Sequence, residues 1–257
     1  MSVKLRWVFI VGGDEKINTL GNYLPGSLNP RFMKRFRNTL LTALLALFGA
    51  SSACAGVNIG GTRVIYDGGK KEAAISVSNP DNVPYLIQSW LDNQDNSTGR
   101  IPFIITPPLY RLDRGQGNIM RIVRAGNLPD NKESLYWLNI KAIPAAEKKA
   151  NSLQIAVKTR IKLIYRPASL KGKTPEDFAE KLIWKVSANR ISVSNPGNYY
   201  MNFNEITVAG KTVPEPTYVA PGASATFSLP AGVSSGPVTF KLINDYGGVG
   251  ATHHVAT

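Results

Sequence analysis

The sequence has 257 residues and a net charge of +13, from 30 Lys and Arg against 17 Asp and Glu, with two histidines and one cysteine. A positive balance is typical of proteins that bind nucleic acids or anionic surfaces, but here the basic residues are scattered along alternating segments, which argues against a nucleic-acid site. So few histidines and cysteines leave little material for a metal centre or for a nucleophile with a histidine base.

Residues 33–55 have the three parts of a secretory signal peptide. A basic start is followed by an apolar run over residues 40–48 and by the small residues Ala53-Cys54-Ala55. The apolar run is about half of the roughly 20 residues that a membrane anchor needs. We therefore expect cleavage after position 55, with a lipoprotein signal as the weaker alternative because no large apolar residue precedes the cysteine.

Cleavage after position 55 would change the composition of the chain. Met33 is then the expected start of translation, and residues 1–32 are predicted to be an upstream extension. The first 55 residues hold seven of the basic and two of the acidic residues, which leaves 23 and 15 and a net charge of +8. They also hold Cys54, so neither a disulfide nor a thiol nucleophile is expected in the mature chain.

From residue 56 onward, apolar and polar residues alternate as in half-buried strands, and no long helical stripe appears. Turn residues recur roughly every 8–12 residues, which is the spacing of a β-sandwich. The pattern predicts a first immunoglobulin-like domain over residues 56–170. Its strands are expected, in chain order, within 62–69, in two segments of 72–93, in two segments of 102–124, within 134–144, and as one long strand over 153–167.

A second set of strands follows a polar segment. Residues 174–182 are predicted to form a short helix with Thr174 as its cap and Pro175 at its first position. A second immunoglobulin-like domain is predicted over residues 171–257, so the fold class is all-β with two sandwiches. Its strands are expected within 182–195, 199–210, 217–230 and 237–248.

No residue pattern in the mature chain marks an active site. His253 and His254 are neighbours near the end of the chain, so on a strand they would point to opposite faces and make a poor metal pair. We expect them in an exposed tail. A glycosidase-type pair of carboxylates stays open, because any two acids could meet in space. No catalytic residue, metal ligand or cofactor is predicted, and the sequence indicates a binding protein rather than an enzyme.

Several segments carry a family resemblance. LPDNKESLYWLNIKAIPA at residues 128–145 and RIKLIYRP at residues 160–167 resemble, in order, the signature segment and the last strand before the domain junction of periplasmic pilus chaperones, the PapD-like family of chaperone–usher systems. The resemblance covers essentially the whole mature chain. It implies two immunoglobulin-like domains in a boomerang arrangement with a cleft between them. Further matching segments are 62–79, 103–112, 194–203 and 242–248.

The resemblance implies a function as well as a fold. Family members capture pilus (fimbrial) subunits in the periplasm as one-to-one complexes, help them fold, prevent premature polymerisation and deliver them to an outer-membrane usher, with no enzymatic activity and no membrane insertion. A subunit lacks its last strand and the chaperone donates one, a known case of β-augmentation. Leu153, Ile155 and Val157 match the donor strand, near residues 151–166. From pattern alone, these side chains would be expected to pack into the core of their own domain.

Two cations match the family's site for the C-terminal carboxylate of the subunit. They are Arg63 and Lys162, and charge-assisted hydrogen bonds to a carboxylate suit this role. Without the resemblance, each would be assigned to a solvated surface. Lys162 lies on the opposite alternation from Leu153, Ile155 and Val157, so a twist or a bulge is expected between them.

Three charged residues match the group that joins the two domains in the family. They are Glu133, Arg166 and Asp245. The short polar segment 143–154 and the absence of cysteine favour the short-loop branch of the family. The alternative hypothesis is a structural or adhesive surface protein built of the same sandwiches, although a pilus subunit would be expected to carry a donor extension and usually a disulfide.

Overall fold

In the computed structural model, residues 56–145, 153–187 and 189–255 are described, and the fold is given for those ranges. The predicted signal peptide and upstream extension lie outside them, as does most of the segment on which the short-loop prediction rests. Within these ranges no helix is long and apolar enough to cross a membrane.

The first sandwich is built from nine strands: β1 (Asn58–Ile59), β2 (Arg63–Asp67), β3 (Glu72–Ser78), β4 (Tyr85–Asn93), β5 (Phe103–Thr106), β6 (Leu109–Leu112), β7 (Gly117–Arg124), β8 (Ser134–Pro144) and β9 (Val157–Arg166). One sheet has the order β1-β3-β7-β5 and the other the order β2-β9-β8-β4-β6. Neighbouring strands are antiparallel except β2 and β9, which run parallel. The predicted all-β class is confirmed.

Three strands form where two were predicted within residues 102–124. The break falls at Pro107 and Pro108, between β5 and β6. Because proline has no N–H to give to a ladder, a continuous strand cannot cross this pair. The chain changes sheet there, since β5 pairs with β7 whereas β6 pairs with β4.

The long strand predicted over residues 153–167 is shorter in the structure. β9 begins at Val157, and residues 153–156 have no ladder partner in the described part of the chain. The pairing of β8 with β9 starts at Ala142 opposite Val157. Two residues later β8 ends at Pro144, which has no N–H to offer. An alternating sequence becomes a strand only where a neighbour completes its hydrogen bonds.

The second sandwich has eight strands: β10 (Ile183–Ser187), β11 (Arg190–Ser194), β12 (Met201–Val208), β13 (Lys211–Thr212), β14 (Tyr218–Val219), β15 (Ser224–Ser228), β16 (Val238–Ile243) and β17 (Val249–His254). One sheet has the order β10-β11-β15, and the other the order β13-β12-β16-β17 with β14 also pairing with β12. Each sandwich encloses its own apolar core.

Two 3₁₀ helices connect the sandwiches, Ala168–Leu170 and Pro175–Lys181. The second confirms the predicted short helix, including its cap. The Thr174 N–H donates to the Asp177 carboxylate at 2.7 Å, and the Thr174 hydroxyl lies 3.0 Å from the same oxygen. Both contacts run from Thr174 to one oxygen of the Asp177 carboxylate, and the first satisfies the N–H of the cap residue.

The expected tail at His253 and His254 is wrong, although His254 is exposed as expected. Both histidines lie in β17, which pairs with β16. The His253 ring stacks on Phe240 with 5.0 Å between centroids, and its Nε2 lies 2.7 Å from Oε1 of Glu176. The alternation of this strand is short and rich in small residues, so its sequence carries little strand signal.

The hexapeptide ISVSNP occurs twice, at residues 75–80 and 191–196. Each copy ends a strand, β3 or β11, in a different sandwich. The asparagines, Asn79 and Asn195, are 1% and 2% exposed. A buried amide must be hydrogen-bonded to be tolerated, so both positions are expected to have dedicated partners.

Those partners are alike in the two sandwiches. Each side-chain oxygen accepts the N–H of the residue two positions later, at 3.0 Å. Each side-chain nitrogen donates to three backbone carbonyls, two in loops and one at the end of another strand, and so ties these segments to the end of its own strand. The acceptors are Val83, Leu112 and Asp113 for Asn79, and Tyr199, Val219 and Ala220 for Asn195.

Replacing either buried amide by a carboxylate should destabilise the protein strongly. In Asn79→Asp or Asn195→Asp, an acceptor would face the loop carbonyls, which would lose their donor. We expect a loss of about 2–4 kcal/mol in the free energy of unfolding, measured by urea denaturation. The matched control is Asn204→Asp at an exposed position, with an expected change below about 0.5 kcal/mol. Equal effects at exposed and buried positions would contradict this role.

Candidate functional site

The three predicted donor residues project into solvent. Leu153 is 86% exposed, Ile155 is 69% exposed and Val157 is 57% exposed. The alternative in which they pack into their own domain is therefore wrong. Three large apolar side chains exposed in alternation are costly in water and typical of an interaction surface.

The backbone beside these residues is also open. β9 pairs with β8 along nearly its whole length, from Val157 to Tyr165. On the other side, its pairing with β2 begins only at Lys162, opposite Arg63. Among the described residues, the stretch from Val157 to Ile161 thus has no strand partner on that side. Such an edge is a template for pairing with another chain, and most proteins avoid it.

A twist or a bulge was expected between the donor residues and Lys162, and the ladder of β8 and β9 contains no bulge. Its register is unbroken, from Ser134 opposite Tyr165 to Ala142 opposite Val157. The alternation that includes Val157 continues into the core through Ile161, Leu163 and Tyr165, all of which are buried. The donor face is therefore an extension of the core face, and Lys162 lies on the opposite face of the same strand.

Arg63 and Lys162 are direct neighbours across β2 and β9. Both contact the second sandwich. Arg63 Nη1 donates to the Ile243 carbonyl at 3.3 Å. The Lys162 ammonium donates to the Asn202 side chain and lies 4.6 Å from the ring centroid of Tyr218. The two cations therefore lie where the sandwiches meet.

No ion pair in the described part of the chain compensates the charges of Arg63 and Lys162. Burial, and to a lesser extent the charge of Arg63, lowers the pKa of Lys162 to about 8. Burial also lowers the pKa of Arg63, an effect that Asp245 partly offsets. Neither cation forms an ion pair within the described ranges, and the buried Nε of Arg63 has no hydrogen-bond partner there. An anion at this point would satisfy both charges.

Glu133, Arg166 and Asp245 form one hydrogen-bonded group. Arg166 Nε donates to Glu133 at 2.7 Å, and its two terminal nitrogens donate to Asp245 at 2.6 and 2.8 Å. Glu133 also accepts the N–H of Tyr200 at 2.7 Å. Glu133 and Arg166 come from the first sandwich and Asp245 from the loop after β16, so the group spans both sandwiches.

The side chains of this charged group are mostly withdrawn from water. They are 0% exposed at Glu133, 11% at Arg166 and 21% at Asp245. Burial raises the pKa of Glu133, and the attraction of Arg166 opposes it. Burial alone would lower the pKa of Arg166, but the hydrogen bonds to Asp245 and the charge of Glu133 raise it instead. Breaking one contact would therefore leave a buried charge unpaired.

Three groups of the second sandwich that contact Arg63 or Lys162 were not predicted. They are the Asn202 amide, the Tyr218 ring and the Ile243 carbonyl. Asn202 and Tyr218 are neutral residues in strands that look ordinary in sequence, and they meet Lys162 only through the packing of the two sandwiches. No sequence signal would have found them. In the described part of the chain, no three His, Cys, Asp or Glu residues cluster as metal ligands would.

Comparison with known families decides the relationship. Residues 56–171 match the pili and flagellar-assembly chaperone, PapD N-terminal domain, and residues 177–254 match the pili assembly chaperone PapD, C-terminal domain. The chain belongs to the PapD family of pilus-assembly chaperones. The family resemblance in the sequence is thereby confirmed, and with it the prediction of a fimbrial assembly chaperone.

Individual relatives agree with this assignment. The chaperone is 43% identical over 225 residues to the chaperone protein LpfB of Salmonella typhimurium, a match that covers 85% of this chain and 97% of the relative. It is 42% identical over 231 residues to the chaperone protein FimC of Escherichia coli, covering 86% and 94%. Among solved structures, the Salmonella enterica SafA pilin in complex with the SafB chaperone matches with a TM-score of 0.73 and 38% identity, covering 80% of this chain and 99% of that one.

Breaking the charged group should cost far more than breaking an exposed ion pair. For Glu133→Ala we expect a loss of about 3 kcal/mol in the free energy of unfolding, because Arg166 loses a buried partner. The matched control is Asp113→Ala, which breaks the Arg111–Asp113 pair, whose side chains are 69% and 47% exposed, at a cost below about 1 kcal/mol. Urea denaturation of both variants tests this, and similar losses would contradict the buried coupling.

Proposed function

We propose that this chaperone forms one-to-one complexes with pilus subunits by donating a strand to them. The proposal rests on two features that occur together. Leu153, Ile155 and Val157 are exposed apolar residues, and the neighbouring edge of β9 is unpaired in the described part of the chain. A subunit that lacks its last strand would gain backbone hydrogen bonds from this edge. The alternating side chains would enter its core, which is how β-augmentation obtains both affinity and specificity.

A related complex supports the class of partner. The SafB chaperone was solved in complex with the SafA pilin, and its match to this chain covers 99% of the SafB structure. Because donor pairing hides the subunit's own edge, the same contact would help the subunit fold and prevent premature polymerisation. Delivery to an outer-membrane usher, residence in the periplasm and the absence of an enzymatic activity complete the proposal.

Arg63 and Lys162 are proposed to hold the C-terminal carboxylate of the subunit. The support is their adjacency, their partial burial and the lack of an ion-pair partner in the described ranges. A fixed carboxylate would set the register of the donated strand. Register matters here because a shift by one residue would turn every apolar side chain away from the groove.

The charged group of Glu133, Arg166 and Asp245 is proposed to fix the angle between the sandwiches. Arg166 lies four residues after Lys162 on the same strand and binds Asp245 of the second sandwich through two hydrogen bonds. Bidentate contacts of this kind restrict orientation as well as distance. The position of Asn202 and Tyr218 around Lys162 would follow from that angle.

Removing either cation should abolish recovery of the complex. When the chaperone is co-expressed with a cognate pilus subunit, we expect wild type to yield a soluble one-to-one complex from the periplasm. Arg63→Ala and Lys162→Ala should bind at least about a hundredfold more weakly, because each removes a half-buried charge-assisted contact. The matched control is Lys185→Ala, an exposed lysine in β10 of the second sandwich and outside the donor edge. Full binding by both cation variants would exclude the anchor.

Subunit anchoring should weaken in mild alkali. Lys162 must be protonated to attract a carboxylate, and its pKa in the free chaperone is lowered to about 8. Affinity for a peptide with the subunit's C-terminal sequence should be constant below pH 7 and fall above pH 8, approaching about tenfold per pH unit. Isothermal titration calorimetry measures this. In Lys162→Arg, whose side chain keeps its charge, the decline should disappear, and a decline identical to wild type would contradict the assignment.

A further inference from the structure

A basic pocket lies between the connecting segment and the loop that precedes β12. Its cavity of about 360 Å³ is lined by Lys171, Lys173, Lys181, Phe178, Asn198 and Tyr199, among other residues. Two aromatic rings, Phe178 and Tyr199, form part of its wall. Phe178 stacks on Tyr199 with 4.9 Å between centroids, and the Tyr199 hydroxyl donates to the Leu170 carbonyl at 2.8 Å.

Ammonium groups converge on this wall. Lys181 Nζ lies 4.9 Å from the centroid of Phe178, and Lys173 Nζ lies 5.5 Å from the same centroid. Tyr199 stacks on the same ring. Lys171 lines the same cavity. In the described part of the chain none of the three lysines forms an ion pair.

The 3₁₀ geometry of Pro175–Lys181 separates its lysine from its acidic residues. In a 3₁₀ helix, residues three apart in sequence lie above one another. Within Pro175–Lys181 this places Phe178 and Lys181 on one side, so that the acidic residues of the same helix, Glu176, Asp177 and Glu180, fall on the other two sides. None of these acids lines the cavity.

The two acids with assigned contacts are engaged elsewhere. Glu176 contacts His253 at 2.7 Å and accepts the N–H of Ala251 at 3.2 Å. Asp177 accepts hydrogen bonds from Thr174, which lower the pKa of its carboxyl, and the charge of Lys173 adds a smaller lowering. A segment with balanced charge thus presents a purely cationic rim on the pocket side.

We propose that this pocket binds a phosphate-type oxyanion, supplied either as a free phosphate or as the head group of an anionic phospholipid. Compact ammonium groups suit a small anion with more than one charge. An acidic peptide fits less well, because every lining residue lies in a 3₁₀ helix, turn or loop. No strand edge is therefore available in the pocket to pair with a peptide backbone. The site is independent of the subunit anchor, since it contains neither Arg63 nor Lys162.

The test compares two double variants of equal charge change in the full chaperone. Lys173→Gln/Lys181→Gln removes the two cations over Phe178, and Lys185→Gln/Lys211→Gln removes two exposed lysines outside the pocket. Inorganic phosphate is titrated at low ionic strength by calorimetry. Flotation is then measured with vesicles of phosphatidylglycerol and phosphatidylcholine, and with vesicles of phosphatidylcholine alone. Thermal unfolding checks that both variants are folded.

We expect saturable phosphate binding in wild type and in the control variant, and binding weakened by about tenfold or more in the pocket variant. Binding to inorganic phosphate supports the site with a free anion as ligand. Flotation that needs phosphatidylglycerol and is lost in the pocket variant, without binding of inorganic phosphate, supports the head-group source. Equal losses in both variants, no binding in either assay, or binding of polyglutamate but not of phosphate would overturn the proposal.

Discussion

The structure depends on how β9 is paired. One strand of ten residues is hydrogen-bonded to β8 along nearly all its length, but to β2 only from Lys162 onward. The second half of β9 is thereby fixed inside the molecule, and the first half has an open edge. Three features lie along this part of the chain: exposed apolar residues up to Val157, a cation at Lys162, and Arg166 at the end of the strand.

Burial gives the middle and the end of the strand their chemistry. Lys162 and Arg63 are adjacent like charges with lowered pKa values, so together they favour an incoming carboxylate. Four residues later, Arg166 already has its two carboxylates, Glu133 and Asp245, and joins the sandwiches. The strand therefore carries one satisfied and one unsatisfied cationic site on the same face. The site without an ion-pair partner in the described part of the chain is the one that we propose for the subunit's carboxylate.

Period-2 alternation and turn residues were sufficient to predict two sandwiches and most of their strands, because each strand has one buried face. The sequence patterns gave wrong strand bounds where hydrogen-bond partners determine whether a strand forms. Pro107 and Pro108 split one predicted strand, and residues 153–156 have no neighbouring strand among the described residues. His253 was missed because its partner, Glu176, is distant in sequence. The charged residues of the site were identified through the family resemblance, whereas Asn202 and Tyr218 are brought to Lys162 only by the packing of the two sandwiches.

We propose that a strand of the subunit completes the open edge of β9. This can be tested by amide hydrogen exchange of the chaperone, free and bound to a cognate subunit. Amides between residues 153 and 161 that face the open edge should exchange rapidly in the free protein and become protected in the complex. Amides of Leu163 and Tyr165, already in the ladder, should change little. A stable complex in which residues 153–161 exchange as fast as in the free protein would contradict it.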